Sequence, residues 1–192
     1  MKSTLVLLFL VLLSSCKTEA TKEISIKEDV SELSSDAYEG RETGTKGEQA
    51  AATYISKRFE QLGLEPKGTE GFYQTFRFKP KTDPHGEVSF STMAEDSTIT
   101  GTNILGYIDN KAKNTIIIGA HYDHLGFGSD GSLYRGNDKA IHNGADDNAS
   151  GVSVMLNLAG KLKTANKGNN YVFMAFTGEE MGLLGSNYFV KN

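Results

Sequence analysis

Cysteine is almost absent from this 192-residue chain: Cys16 stands alone. No disulfide can close within the chain, and a metal site would have to be built from histidine and carboxylates rather than thiolates. Basic charge is short as well, with 20 Lys and Arg against 24 Asp and Glu, a formal charge of -4 and no basic cluster. Without that electrostatic footprint a nucleic-acid partner is excluded. The apolar run from Leu5 to Leu13 is too short to span a bilayer. Neither G-x-S-x-G nor H-E-x-x-H occurs, so a serine elbow and a one-helix zinc motif are both missing. There are no internal repeats or low-complexity segments. What is present, 38% hydrophobic and 23% charged residues, is the balance of one globular domain with a packed core.

The opening "MKSTLVLLFLVLLSSC" has the order of a signal: Lys2, an apolar run, then small residues before Cys16. Its end, "LSSC", resembles a bacterial lipobox, in which cleavage leaves Cys16 to be lipidated. The expected organisation is a signal peptide over 1–15, a polar tether over 16–28 and one domain over 29–192. An acidic chain gains little from anionic lipid, so the acyl chains would hold it at the bacterial cell envelope.

Within the domain, "TKGEQAAATYISKRFEQLG" predicts an amphipathic helix: Thr45 and Glu48 in capping-box spacing, a stripe of Ala51, Tyr54, Ile55, Phe59 and Leu62, and Gly63 as the stop. Strands are expected at 72–78, 87–91, 103–108, 115–120 and 171–176. The continuous run "TIIIGA" (115–120) predicts burial on both faces of a mainly parallel sheet. Residues 122–147, with five glycines, form a long loop, and helices follow from Gly151 and within 178–192. Strand, loop, helix, strand, turn, helix is an α/β order.

Three polar clusters sit at matching places: "HYDH" (121–124) and "TGEE" (177–180) each follow a strand, and "GADDNASG" (144–151) precedes a helix. Ligands of open α/β sheets bind at the carboxyl ends of strands. The gathered side chains are His121, Asp123, His124, Asp146, Asp147, Glu179 and Glu180, a mixture of imidazole and carboxylate that suits zinc or a similar transition metal. So many like charges at one edge also need a cation to offset their repulsion. An EF-hand reading of "DDNASG" fails, because its twelfth position is Asn157 where a bidentate Glu is required.

"GAHYDHLG", "NGADDNASG" and "FTGEEMGLLGS" resemble, in order, the three motifs of the co-catalytic di-zinc exopeptidases of peptidase family M28, mostly aminopeptidases. "LSSDAYEGRETGTKGEQAAATYI" resembles the family's opening helices, so the likeness runs from about Val30 to Asn192. It implies a three-layer α/β/α zinc-exopeptidase fold with a mixed, mainly parallel sheet. It also implies two zinc ions: His121 as a terminal ligand of one, Asp123 as the carboxylate orienting it, Asp146 as the bridge, Glu180 as a terminal ligand of the other and Glu179 as the general base. Asp147 would follow Asp146 through a cis peptide bond. Substrates would be peptides with a free N-terminus, hydrolysed by a water held between metals about 3.5–4 Å apart.

Each family zinc takes one further ligand, an Asp or a His, from downstream of the "TGEE" motif. Those positions lie beyond Asn192, and His85, His124 and His142 are not expected to replace them. The 192 residues by themselves are therefore expected to bind zinc weakly and turn over little. Two alternatives share the motifs: a glutaminyl cyclase, which uses one zinc and cyclises, and a non-catalytic peptide-binding lipoprotein.

Overall fold

The computed structural model describes residues 25–80, 88–93, 97–128, 132–136, 138–165 and 167–192. The signal, Cys16, most of the tether, His85 and Glu87 lie outside the described residues. Helix α1 (Ile26–Leu33) starts inside the stretch expected to be tether. The local sequence explains this: the Ser25 side chain accepts from Glu28 N, and the Glu28 carboxylate takes the Ser25 N–H, closing a capping box.

A 3-10 segment (Asp36–Arg41) leads to α2 (Lys46–Gln61). Thr45 caps α2 through Glu48 N, and Ala51, Ile55 and Phe59 are completely buried along the predicted stripe. The capping box is only half made, because the Glu48 carboxylate turns inward to Gly44 N, Thr102 N and the Tyr122 hydroxyl. The helix stops where Gly63 adopts φ +65, and Lys163 donates to the carbonyls of Leu62 and Gly63.

The remaining elements are β1 (Glu65–Pro66), β2 (Tyr73–Phe78), β3 (Phe90–Ser91), β4 (Ile99–Ile108), β5 (Thr115–His121), α3 (Ser150–Ala165), β6 (Asn170–Phe176) and α4 (Leu184–Lys191). The strands form one sheet in the order β3-β2-β4-β6-β5, with β1 beside β4. Period-two alternation along β6 sends Phe173 and Ala175 to a core shared with Ile55, Phe59, Val152 and Leu156 of α2 and α3. Its Val172 and Met174 face the other way, beside Leu105 and Phe189 of α4. Helices on both faces give the expected three-layer α/β/α arrangement.

Two expectations need correction. The sheet is mixed but mostly antiparallel: β1–β4, β2–β3, β2–β4 and β4–β6 are antiparallel, and only β5–β6 is parallel. Strand β5 is not buried on both faces; it lies last in the described sheet, with Ile116 42% and Ile117 55% exposed. A continuous apolar run reports hydrophobicity, not neighbours; in the described sheet β6, unlike β5, has a strand on either side.

Candidate metal centre

Register brings two of the motifs together. In the parallel β5–β6 pair His121 lies opposite Phe176, so residues 122–124 and 177–180 leave the sheet side by side. Asp123 stands at the join, fully buried. Its carboxylate accepts from the backbone N–H groups of Glu179 (3.2 Å) and Glu180 (3.3 Å) and from the Thr43 hydroxyl (3.2 Å). It also lies 3.6 Å from Nδ1 of His121. One buried carboxylate thus fixes the turn carrying both glutamates and the imidazole on the neighbouring strand.

The third motif reaches the same place from the front of α3. Gly144 takes φ +56, and a Cβ there would lie 2.4 Å from the carbonyl of Asp147 and 2.6 Å from the His124 ring, so only glycine fits. The Asn148 side chain caps α3 by accepting from Gly151 N (3.0 Å). That leaves the Asp147 carboxylate to point at the strand ends, with Oδ1 3.0 Å from Nε2 of His121.

Asp147 also shares reach with His124 and Glu180. Each of the three offers one ligand atom, and these atoms all lie within 4.8 Å of one another. Two atoms ligating one zinc tetrahedrally at about 2.0–2.2 Å lie about 3.3–3.6 Å apart, so side-chain rotations would be needed to close the site. His124 Nδ1 and Glu180 Oε1 are 2.6 Å apart. The residues present therefore fit a cation of the zinc class.

The assignments drawn from the sequence separate at this point. His121, Asp123, Glu179 and Glu180 converge as expected, with Glu179 Oε2 4.0 Å from His121 Nε2. Asp146, the residue implied as the bridge, does not join them: it stands outside the donor group and contributes its carbonyl to the Ser150 hydroxyl. Asp147, equally exposed, is the aspartate beside His121, His124 and Glu180. The cis peptide bond likewise falls one residue later, at Asp147–Asn148. His124 enters the group although it was not expected to, while His142 is held elsewhere by Ser132 and the Ala140 carbonyl.

Electrostatics follow from this crowding. Burial works to lower the His121 imidazole, but Asp123, then Glu179 and Asp147, outweigh it and hold it above its ordinary range. Burial raises the Glu179 carboxyl; His121 opposes this, and Glu180, Asp123 and Asp147 reinforce it. A cavity of about 410 Å³ opens beside His124 and Glu180, lined by Phe78, Val88, Ile99, Leu125, Met181 and Leu184. A second, of about 270 Å³, reaches His121, Asn148 and Glu179.

Comparison with known proteins agrees with this geometry. The model of Peptidase family M28 matches residues 103–192. The chain is 31% identical over 159 residues to the alkaline phosphatase isozyme conversion protein of Escherichia coli, covering 80% of this chain and 42% of that one. It is 38% identical over 98 residues to aminopeptidase YwaD of Bacillus subtilis, covering 48% and 18%. The chain thus spans less than half the length of these relatives. Among solved structures it resembles BSAP, a zinc aminopeptidase from Bacillus subtilis, with TM-score 0.63, 18% identity and coverage of 88% of this chain and 65% of that one. It also resembles a glutaminyl cyclase from Fimbriiglobus ruber, with TM-score 0.65, 21% identity and coverage of 86% and 53%. At these identities the two structures establish a shared fold. The likeness to Peptidase family M28 runs over residues 103–192, the part of the chain whose three motif loops converge on one sheet edge.

Proposed function

We propose that this chain carries the N-terminal half of the active site of a zinc-dependent aminopeptidase. The donors support this: Asp147 lies 3.0 Å from His121 and in one group with His124 and Glu180, with Glu179 beside them but outside the group of three. These residues would hold a pair of zinc ions, with Asp147, rather than Asp146, the carboxylate near both histidines. Downstream ligands of the full-length protein would complete the coordination.

Zinc bound here would supply Lewis acidity towards a scissile carbonyl and a water of lowered pKa. The chain's own residues would do the rest. Asp123 holds the His121 ring and the Glu179–Glu180 turn in place. Glu179, its carboxyl shifted upward, takes a proton from the attacking water at its carboxylate and returns it to the leaving amine. The apolar cavity beside His124 and Glu180 gives a substrate side chain a dry place next to the donors.

The test is hydrolysis of an aminoacyl-p-nitroanilide by the full-length protein, with and without a chelator. Turnover that disappears on chelation, returns with zinc and spares N-acetylated substrates is expected. Chelator-resistant turnover, or a pyroglutamate product, would overturn the proposal. We also propose that lipid on Cys16 holds the protein at the bacterial cell envelope. In that case Cys16→Ala moves it from the membrane to the soluble fraction, and unchanged membrane retention would refute the anchor.

A further inference from the structure

Arg41 is 0% exposed, and the negative charges of Asp123 and Asp147 favour its charged form against burial. Every one of its hydrogen bonds goes to a backbone carbonyl: Nε donates to Tyr122 (2.7 Å), Nη1 to Leu33 and Asn143 (2.7 Å for the latter), and Nη2 to Gly144 (2.8 Å). Its own carbonyl accepts the N–H of His124 at 3.2 Å. Tyr122 lies between His121 and Asp123, and Gly144 lies three residues before Asp147. One side chain is therefore bonded to both loops that supply donors to the metal centre.

The backbone at Arg41 also departs from the ordinary. Its φ is +54, in a run of left-handed residues with Glu39 at +47 and Gly40 at +69. Residues with a Cβ rarely occupy that region, and they persist there only where the surroundings over-determine them. Here the left-handed run lies against the "HYDH" loop, with the Gly126 N–H donating to the Gly40 carbonyl and the His124 N–H to that of Arg41. A planar fork of five N–H donors can meet four carbonyls at once; an ammonium with three donors on a flexible stem cannot hold the same set. A core built only for stability would be filled more cheaply with apolar side chains than with a buried cation.

We infer that Arg41 is a positioning residue for the metal centre: it sets the separation between the loop of His121 and His124 and the loop of Asp147 before any metal arrives. This rests on the metal-dependent reading above. The Asp147 charge acts on Arg41 through space, and its place follows from the carbonyls of Asn143 and Gly144 being pinned, with Gly144 packed against the Asp147 carbonyl and the His124 ring. Arg41 therefore acts through the loops and meets no reacting group.

The experiment uses the full-length protein and its Arg41→Lys and Arg41→Met variants. Cobalt(II) serves as the probe, read by its visible absorption, alongside amide hydrogen exchange of the metal-free proteins. Arg41→Lys is expected to remain folded while its cobalt affinity falls about 10–100-fold, as for loss of other partners that orient ligands. Its absorption bands should change in shape, and amides in 143–148 should exchange faster than the rest of the protein. Folded variants with reduced stability but unchanged cobalt affinity, bands and 143–148 exchange would show a role in folding alone and overturn the inference. Should neither variant fold, the wild type decides: 143–148 protected alike with and without metal supports presetting, and protection gained only on adding metal contradicts it. If the wild type bound no metal at all, the metal-dependent reading would fail, and the wild-type and variant exchange of 143–148 would still decide the role of Arg41.

Discussion

Nε2 of His121 lies 3.0 Å from Oδ1 of Asp147, a contact between the end of an edge strand and the loop in front of a helix. Asp147 also shares a group of possible ligands with His124 and Glu180. Its neighbour Asp146 stands outside that group although both aspartates are exposed, so the two adjacent acids differ in what they face rather than in burial.

Glu179, proposed as the base, lies outside the group formed by His124, Asp147 and Glu180. Glu179→Gln in the full-length protein should lower kcat by about 10²–10⁴-fold, the usual worth of a positioned proton acceptor, while zinc content stays at the wild-type level. Metal analysis beside steady-state kinetics checks both halves. Wild-type kcat in the variant would remove Glu179 from the mechanism.

Asp123 acts at one remove, through the two glutamate N–H groups and the His121 ring. Asp123→Asn keeps the shape but offers an amide N–H₂ where a carboxylate oxygen now accepts. Zinc affinity should drop about 10–100-fold, as for loss of other groups that orient ligands. Competition with a chromophoric chelator measures it, and unchanged affinity would mean that the loops hold the ligands without Asp123.

Much of this was legible in the sequence. Helix α2 followed from its apolar stripe and its cap, and the "HYDH" and "TGEE" loops from polar clusters placed directly after apolar strands. The order of strands was not legible: "TIIIGA" and "YVFMAF" both read as buried, yet in the described sheet β6 lies between β4 and β5 while β5 lies last, because neighbours are decided by long-range pairing. The choice between Asp146 and Asp147 was also out of reach. Spacing cannot rank adjacent identical residues, whereas the loop path, with Asn148 capping α3, does. Arg41 left no signal, since its guanidinium bonds only backbone carbonyls, which every residue possesses.

The buried Glu48 gives a prediction for pH. Burial raises its carboxyl above the ordinary value of 4.5, although hydrogen bonds from Thr177, Gly44, Thr102 and Tyr122 pull the other way. With the folded-state pKa above the unfolded one, folding favours the protonated form, and that contribution is lost as pH rises through the raised pKa. Glu48→Gln carries no such proton. Urea unfolding from pH 4.5 upward should therefore show wild-type stability falling relative to Glu48→Gln. A difference that is flat or grows in favour of wild type would contradict the shift.

The division between the two aspartates is tested most directly by zinc stoichiometry in the full-length protein carrying Asp146→Asn or Asp147→Asn, after equilibrium dialysis. With Asp147 beside His121, His124 and Glu180 and Asp146 outside that group, Asp147→Asn should lose most bound zinc and Asp146→Asn should keep it. Zinc lost from Asp146→Asn and retained by Asp147→Asn would contradict the site as built.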